Sequence, residues 1–278
     1  MLDDAARAAL EDFLSRHADS SMFLLANSRK AGLVDRGLPF QATYAAAIEG
    51  ERIVAVAAHS WLGTVVVQAP ERLADVVGAA IGASRRHVTG VLGPYAQALE
   101  AARMLGATKL GHEARELLYA LDLRSLRLPD AFAQGHVVCR RPRDDELPLL
   151  TNWRVDYVVE TEVEAAGPDL RARCAVSIEL LHADGADFLL ERNGVPVAYC
   201  CYNARIAEAV QIGGVWTPRE LRGRGYARAV VAGALRSALV HGASRAVLFT
   251  PEGNLAARRS YESLGFSVVG DYGLFHLT

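Results

Sequence analysis

The stretch Val215-Trp-Thr-Pro-Arg-Glu-Leu-Arg222-Gly-Arg-Gly225-Tyr-Ala227 constrains this chain more than any other. An apolar run enters it, glycines at 223 and 225 interrupt it, and a helical pattern leaves it. Ala227, Val230, Val231, Ala234, Leu235, Ala238 and Leu239 recur at i, i+3, i+4 and i+7, which makes one apolar helix face. Strand, glycine turn and helix in that order belong to an α/β layered domain. The glycines fall just before a helix N-terminus, where unpaired N–H groups converge and partial positive charge favours an anion, typically phosphate. Glycine lets that backbone approach a ligand closely. Arg222 and Arg224 are placed to add charge-assisted bonds to the same phosphates. No Gly-Lys-Ser/Thr follows, so this is not a Walker loop. The third glycine or alanine of a dinucleotide fingerprint is also missing at the required spacing.

The remainder of the chain supplies a domain around this turn, and a second one before it. At 278 residues, 51% of them hydrophobic and 22% charged, there is material for one large domain or two of ordinary size, and disorder is excluded. In the first half, helices are expected over Leu2–His17 and Ser21–Ala31. Strands follow at Gln41–Ile48, Arg52–Ser60 and Thr64–Gln68, then a helix to Ala83, a strand Val88–Val91, a helix to Leu105 and a strand Glu116–Leu123. The segment 125–134, with Pro129 and no periodicity, divides the chain into domains 1–130 and 131–278. The second half runs through a strand His136–Arg140, a helix from Asp144, an irregular acidic stretch and a helix near Arg171–His182. Strands Asp187–Glu191, Val195–Tyr202 and Ala207–Trp216 follow, the first two joined at Asn193-Gly194, a type I′ turn. After the glycine turn come a helix to His241, a strand Arg245–Phe249, a helix Asn254–Leu264, and strands Phe266–Val269 and Tyr272–Leu277. The halves share the order helices, three strands, helix, strand, helix, strand, which suggests an internal duplication at the level of fold.

A second motif stands downstream of the turn: Asn254-Leu-Ala-Ala257-Arg-Arg-Ser-Tyr261-Glu-Ser-Leu-Gly265-Phe266. Asn254 suits a helix N-cap and Gly265 a helix stop. Tyr261 lies at i+7 from Asn254, so both project from about the same side. Together the two motifs resemble the Gcn5-related N-acetyltransferase (GNAT) superfamily. Arg222-x-x-Gly225-x-Ala227 is similar to its acyl-CoA pyrophosphate loop. Asn254 to Phe266 is similar to its Asn-x-x-Ala-x-x-x-Tyr-x-x-x-Gly-Phe motif. The motif-bearing match covers about Arg205 to Phe266, and the element order extends it over the second half.

The resemblance implies two GNAT-like domains, each a mixed, mainly antiparallel sheet flanked by helices. The first lacks both motifs and reads as degenerate. The co-substrate implied is acetyl-CoA, with no metal. Val215, Trp216 and Thr217 fall where family members run strand backbone beside the pantetheine arm. Gly223, Arg224, Gly225, Tyr226 and Ala227, with Arg222, would cradle the pyrophosphate, Asn254 would face the CoA arm, and Tyr261 would stand near the thioester sulfur. The implied reaction is direct transfer of acetyl to a primary amine of a small molecule, an amino acid or related amine being the first choice. A strand N–H serves the developing oxyanion and a tyrosine hydroxyl the departing thiolate. Glu208, on the strand leading to Val215, is the candidate base. Asp156, Glu160, Glu162 and Glu164 form a second acidic set, and Gln211 is a candidate polar contact. In the first half, Phe40, Tyr44 and Trp61 are candidates to line an acceptor pocket or to pack a core. Two other readings fit the same motifs: a non-catalytic acyl-CoA-binding regulator, and a protein or peptide N-acetyltransferase.

Other functions find no support in the residues. Neither half has the basic excess of a nucleic-acid-binding module. Cys139, Cys174, Cys200 and Cys201 are too scattered for a disulfide scaffold, and the eight histidines show no metal-ligand spacing. The N-terminus is acidic and amphipathic, unlike a secretion signal. The most apolar window, Ile53–Ala69, is too interrupted to span a bilayer, so a cytoplasmic protein without membrane contact is expected. Association as a homodimer is compatible with this reading. Basic residues are nearly all arginine, the only lysines being Lys30 and Lys109, so an arginine here is weak evidence of a site.

Overall fold

The computed structural model describes residues 1–106, 115–161 and 165–277. After a short 3₁₀ turn come α1 (Arg7–Ser15), α2 (Ala18–Ala31), β1 (Ala42–Glu49), β2 (Arg52–Ser60), β3 (Thr64–Gln68), α3 (Leu73–Ser84), β4 (Gly90–Pro94), α4 (Tyr95–Met104) and β5 (Arg115–Asp122). Next are α5 (Asp130–Ala133), β6 (Val138–Arg140), α6 (Leu147–Glu160), α7 (Pro168–Ala183), β7 (Asp187–Arg192), β8 (Val195–Arg205) and β9 (Ala209–Trp216). The chain finishes through α8 (Tyr226–Val240), β10 (Arg245–Pro251), α9 (Leu255–Leu264) and β11 (Ser267–His276). None of the described helices is long and apolar enough to cross a membrane.

The chain folds as two compact units, and they are not contiguous segments. The first contains Met1–Ala120, Phe249–Asn254 and Val268–Thr278; the second contains Leu121–Leu248 and Leu255–Ser267. The expected domains 1–130 and 131–278 therefore differ from the observed units. The reason is β11, a single strand where two were expected. It pairs antiparallel with β4, Tyr272 opposite Pro94 and His276 opposite Gly90, and so enters the sheet of the first unit between β4 and β5. Its Phe275 joins the core formed by Ala57, Val65, Val67, Val77 and Val91 under α3 and α4. Over the first unit the order is β1-β2-β3-β4-β11-β5, with β1–β2, β2–β3 and β4–β11 antiparallel and β3–β4 parallel. From α2, the Ser20 and Ser21 hydroxyls donate to the buried Gln68 side chain at 2.8 and 3.3 Å. Tyr44 is a core residue, whereas Phe40 and Trp61 pair at 5.8 Å with the Lys30 ammonium over the Phe40 ring.

The second unit orders its strands β10-β9-β8-β7-β6, antiparallel except for the parallel pair β9–β10. Strand alternation assigns the two faces of β8. Tyr199 and Cys201 join Leu150, Trp153, Ile178 and Trp216 in the core beneath α6 and α7. Cys200 and Tyr202 point the other way, to the Val230 and Ala234 carbonyls of α8.

Candidate active site

The site grows out of a defect in the second unit's sheet. β9 pairs with β10 only over Ala209–Gln211, opposite Arg245–Val247. From Ile212 onward no ladder to β10 forms among the described residues, while the other edge of β9 stays paired to β8 as far as Trp216. Backbone N–H and C=O groups of 212–216 on the open edge are thus available to a ligand. The register with β8 shifts between Tyr199 and Cys201, where Gly214 adopts φ +57°, so a bulge accompanies the opening.

The loop 217–225 follows at once. Gly223 and Gly225 hold φ +76° and +77°, conformations that side chains other than glycine's rarely adopt. Gly225 is the N-cap of α8 and offers no side-chain cap, and no acidic residue occupies the first turn. The first N–H groups of this 15-residue helix therefore lack the usual side-chain acceptor, and the helix dipole there is uncompensated. A Cβ at Gly223 would meet nothing within 4 Å, and one at Gly225 only the Arg228 guanidinium at 3.8 Å, so the backbone is open to close approach. The Thr217 hydroxyl just before the loop is buried without a hydrogen-bond partner. Exposed glycine backbone, an uncapped helix start and an orphaned hydroxyl fit a phosphate-bearing ligand such as the CoA pyrophosphate.

The loop is anchored from beneath. Arg222 donates from Nε to the Thr217 carbonyl at 3.0 Å, and its guanidinium meets Glu160 at 2.8 Å. It also lies over the Trp216 ring at 4.9 Å, and Tyr157 meets that ring edge-on at 6.3 Å. Arg219 binds the same Glu160 carboxylate at 2.9 Å. The hydrogen bond from Arg222 is the main cause holding the Glu160 carboxyl below the usual carboxylate range. Arg222 thus ties the loop to the end of α6. Arg224 is exposed and reaches the Glu220 carbonyl at 3.4 Å. Tyr226 is buried, and its hydroxyl accepts from Arg192 at 2.7 Å, a bond that lowers its pKa. Ala227 lies in the first turn of α8, and Val215 is the half-buried residue before Trp216.

The structure brings Trp216, Thr217, Arg222, Gly223, Gly225, Tyr226 and Glu160 together, and moves Glu208 away. Glu208 lies exposed in the turn between β8 and β9, its carbonyl accepting from the Ser244 and Arg245 amides. All of β9 separates it from Thr217, about 30 Å at strand rise. β9 begins two residues later than expected, so Glu208 sits in the turn before the strand and not on it. Tyr261 is buried on α9, which packs against α8, with Phe266 edge-on at 6.1 Å. Asn254 precedes α9 and is exposed. Glu160 ends a helix instead of beginning an extended acidic run; Asp156 is exposed on α6, and Glu162 and Glu164 lie outside the described residues. Gln211 is buried, and its amide N–H₂ has no partner. Arg154, Tyr157 and Tyr199 escaped the sequence reading. The i, i+3 spacing of Arg154 and Tyr157, which places both on one helix face, was the available signal.

Comparison with known proteins agrees with this geometry. Residues 148–266, which hold both sequence motifs and most of the second unit, match the acetyltransferase (GNAT) family. The fold is shared along the whole chain. A GCN5-related N-acetyltransferase from Kribbella flavida superposes with TM-score 0.58 at 20% identity, covering 100% of this chain and 97% of its own. A Drosophila protein gives 0.66 at 12%, covering 100% and 97%. A tandem GNAT protein from the clavulanic acid biosynthesis pathway gives 0.52 at 15%, covering 96% and 95%. No curated protein sequence matches the chain significantly.

Proposed function

We propose that the chain transfers an acetyl group from acetyl-CoA to a primary amine of a small molecule, at one site in the second unit. The observation that carries this is the uncapped Gly223–Gly225 turn heading α8, directly after the unladdered end of β9. The turn and the first N–H groups of α8 hold the pyrophosphate, and the open edge around Val215 and Thr217 receives the pantetheine arm. Acetyl-CoA supplies the thioester carbonyl. A β9 backbone N–H steadies the carbonyl oxygen as charge develops there, and the Tyr261 hydroxyl gives a proton to the departing sulfur. The amine attacks directly, and its surplus proton leaves through water. Direct transfer is favoured by the cysteines. Burial pushes the Cys139 thiol up to about 12 and Cys201 to about 11, so neither is a thiolate nucleophile near neutrality.

The test is calorimetric titration with acetyl-CoA, followed by thiol release with a panel of primary amines. One site per chain and amine-dependent release are expected. Binding without turnover of any amine or peptide would make the chain an acyl-CoA-binding regulator, and absence of binding by the folded chain would overturn the assignment.

A further inference from the structure

The face of β8 and β9 beneath α6 holds a second unexplained group of donors, beside the open edge and distinct from the phosphate turn. Gly214 leaves the floor there without a side chain, whereas the Asn203 side chain lies directly over Gly213. The point where a Gly214 Cβ would stand is 3.6 Å from Arg154 Nη1 of α6 and 3.8 Å from Tyr199 Cε1. The guanidinium, the phenol ring and the Cys201 thiol, whose Sγ is 3.0 Å from the same point, therefore converge on Gly214. Tyr199, opposite Trp216 in the ladder, has its hydroxyl buried with no partner beyond the weakly interacting Cys201 thiol beside it. On β9, strand alternation sets Gln211 on the same face, and the side-chain amide N–H₂ of this 3% exposed residue is also unpartnered. The Trp216 indole N–H is a third orphan.

Arg154 is half-buried and makes no ion pair among the described residues; its one ring contact is Tyr157 at 5.1 Å. The carboxylates nearest in the fold are otherwise placed. Glu160 is held by Arg219 and Arg222, Asp187 by Arg141 and His182, and Asp156 is exposed. Buried donors without acceptors are costly and rare, and three on one face beside an unpaired guanidinium mark a missing acceptor. The chemistry that satisfies a planar cationic fork and several N–H and O–H donors together is a carboxylate.

The geometry assigns this face, with Arg154 as anchor and Tyr199 and Gln211 as supporting donors, to the carboxylate of an amino acid acceptor, so that the acylated substrate carries amine and carboxylate on one small skeleton. This deepens the transferase reading and rests on it. Arg154 touches the end of the acceptor that does not react, so its work is specificity.

The experiment pairs amino acids with their own carboxamides and with the amines lacking the carboxyl group, all assayed on the native full chain with acetyl-CoA. The acids are expected to exceed their partners in kcat/KM by at least about tenfold. Arg154→Gln should remove most of that preference through KM, Arg154→Lys should restore part of it, and acetyl-CoA affinity by calorimetry should not move in either variant. Carboxamides used as well as the acids by the native chain would overturn the assignment while leaving the transferase reading intact. An unchanged preference in Arg154→Gln would overturn it likewise. A native chain that binds no acetyl-CoA would remove both. The comparison of matched acceptors needs no variant, so a poorly folding substitution leaves the decision with the native enzyme.

Discussion

The two units build the same turn and equip it differently. In the first, β3, α3 and β4 form a strand–helix–parallel strand unit paired over Thr64–Val66 and Gly90–Leu92. In the second, β9, α8 and β10 repeat it, paired over Ala209–Gln211 and Arg245–Val247. Yet α3 starts directly after Ala69-Pro-Glu-Arg72. The Ala69 amide donates to the Gln97 side chain at 2.6 Å, and Arg72 is held by Asp75 at 2.6 Å within the first turn. Asp75 and Glu71 place carboxylates where the helix dipole would otherwise favour a phosphate. At α8 that place has two left-handed glycines and no acid. The shared fold supplies a helix start in both units. Whether it receives an anion is decided by three or four side chains.

The sharpest way to break this comparison is Gly225→Glu, which adds a carboxylate and a side chain at φ +77°. A loss of acetyl-CoA affinity of at least about 100-fold is expected, the equivalent of a few kcal/mol. Asp75→Ala in the first unit should leave both affinity and stoichiometry unchanged. Calorimetry on both variants checks it, and a second site appearing or vanishing in Asp75→Ala would show that the first unit also binds. Next in size is Tyr261→Phe, expected to lower kcat on the order of 100-fold with acetyl-CoA affinity retained. Steady-state kinetics beside calorimetry would expose a purely structural role as equal losses in both.

The units should also respond oppositely to acid. Burial in the first unit raises the Glu116 carboxyl to about 7. Between the unfolded value near 4.3 and about 7, the folded state binds more protons than the unfolded one, so stability falls as pH rises and stays lower above. Glu116→Gln should flatten that slope and raise the melting temperature at pH 8, by at most about 3 kcal/mol of stability, with little change at pH 4. Melting curves across that range measure it. Glu160 has the opposite sign: its lowered pKa gives stability above the ordinary carboxylate range that is lost as pH falls through the folded value. Glu160→Gln is the smallest effect. It should raise KM for acetyl-CoA a few-fold by loosening Arg222, as befits a partly exposed pair.

What could be read in advance follows from where the physics is local. Strands Arg52–Ser60 and Thr64–Gln68 are found as expected because Gly50 and Gly63 take positive φ at the intervening turns. The glycine turn and α8 were legible for the same reason. The placement of Glu208 was not legible because strand starts are weakly encoded, and a shift of two residues put it in the turn before β9. The pairing of β11 with β4 was not legible, since an apolar alternating segment carries no label for its partner. Arg154 was hidden among many arginines. Only its burial beside orphaned donors separates it from a solvated one.

That pairing has a kinetic side. During synthesis β4 is complete long before β11 exists, and the whole second unit is made in between. Until then the edge of β4 exposes an unpaired row of amides and carbonyls, the kind of edge to which other strands add. The nascent first unit therefore waits as an open sheet, vulnerable to misassociation, for a segment at the opposite end of the sequence. Residues 1–130 expressed alone would be held in that waiting state permanently.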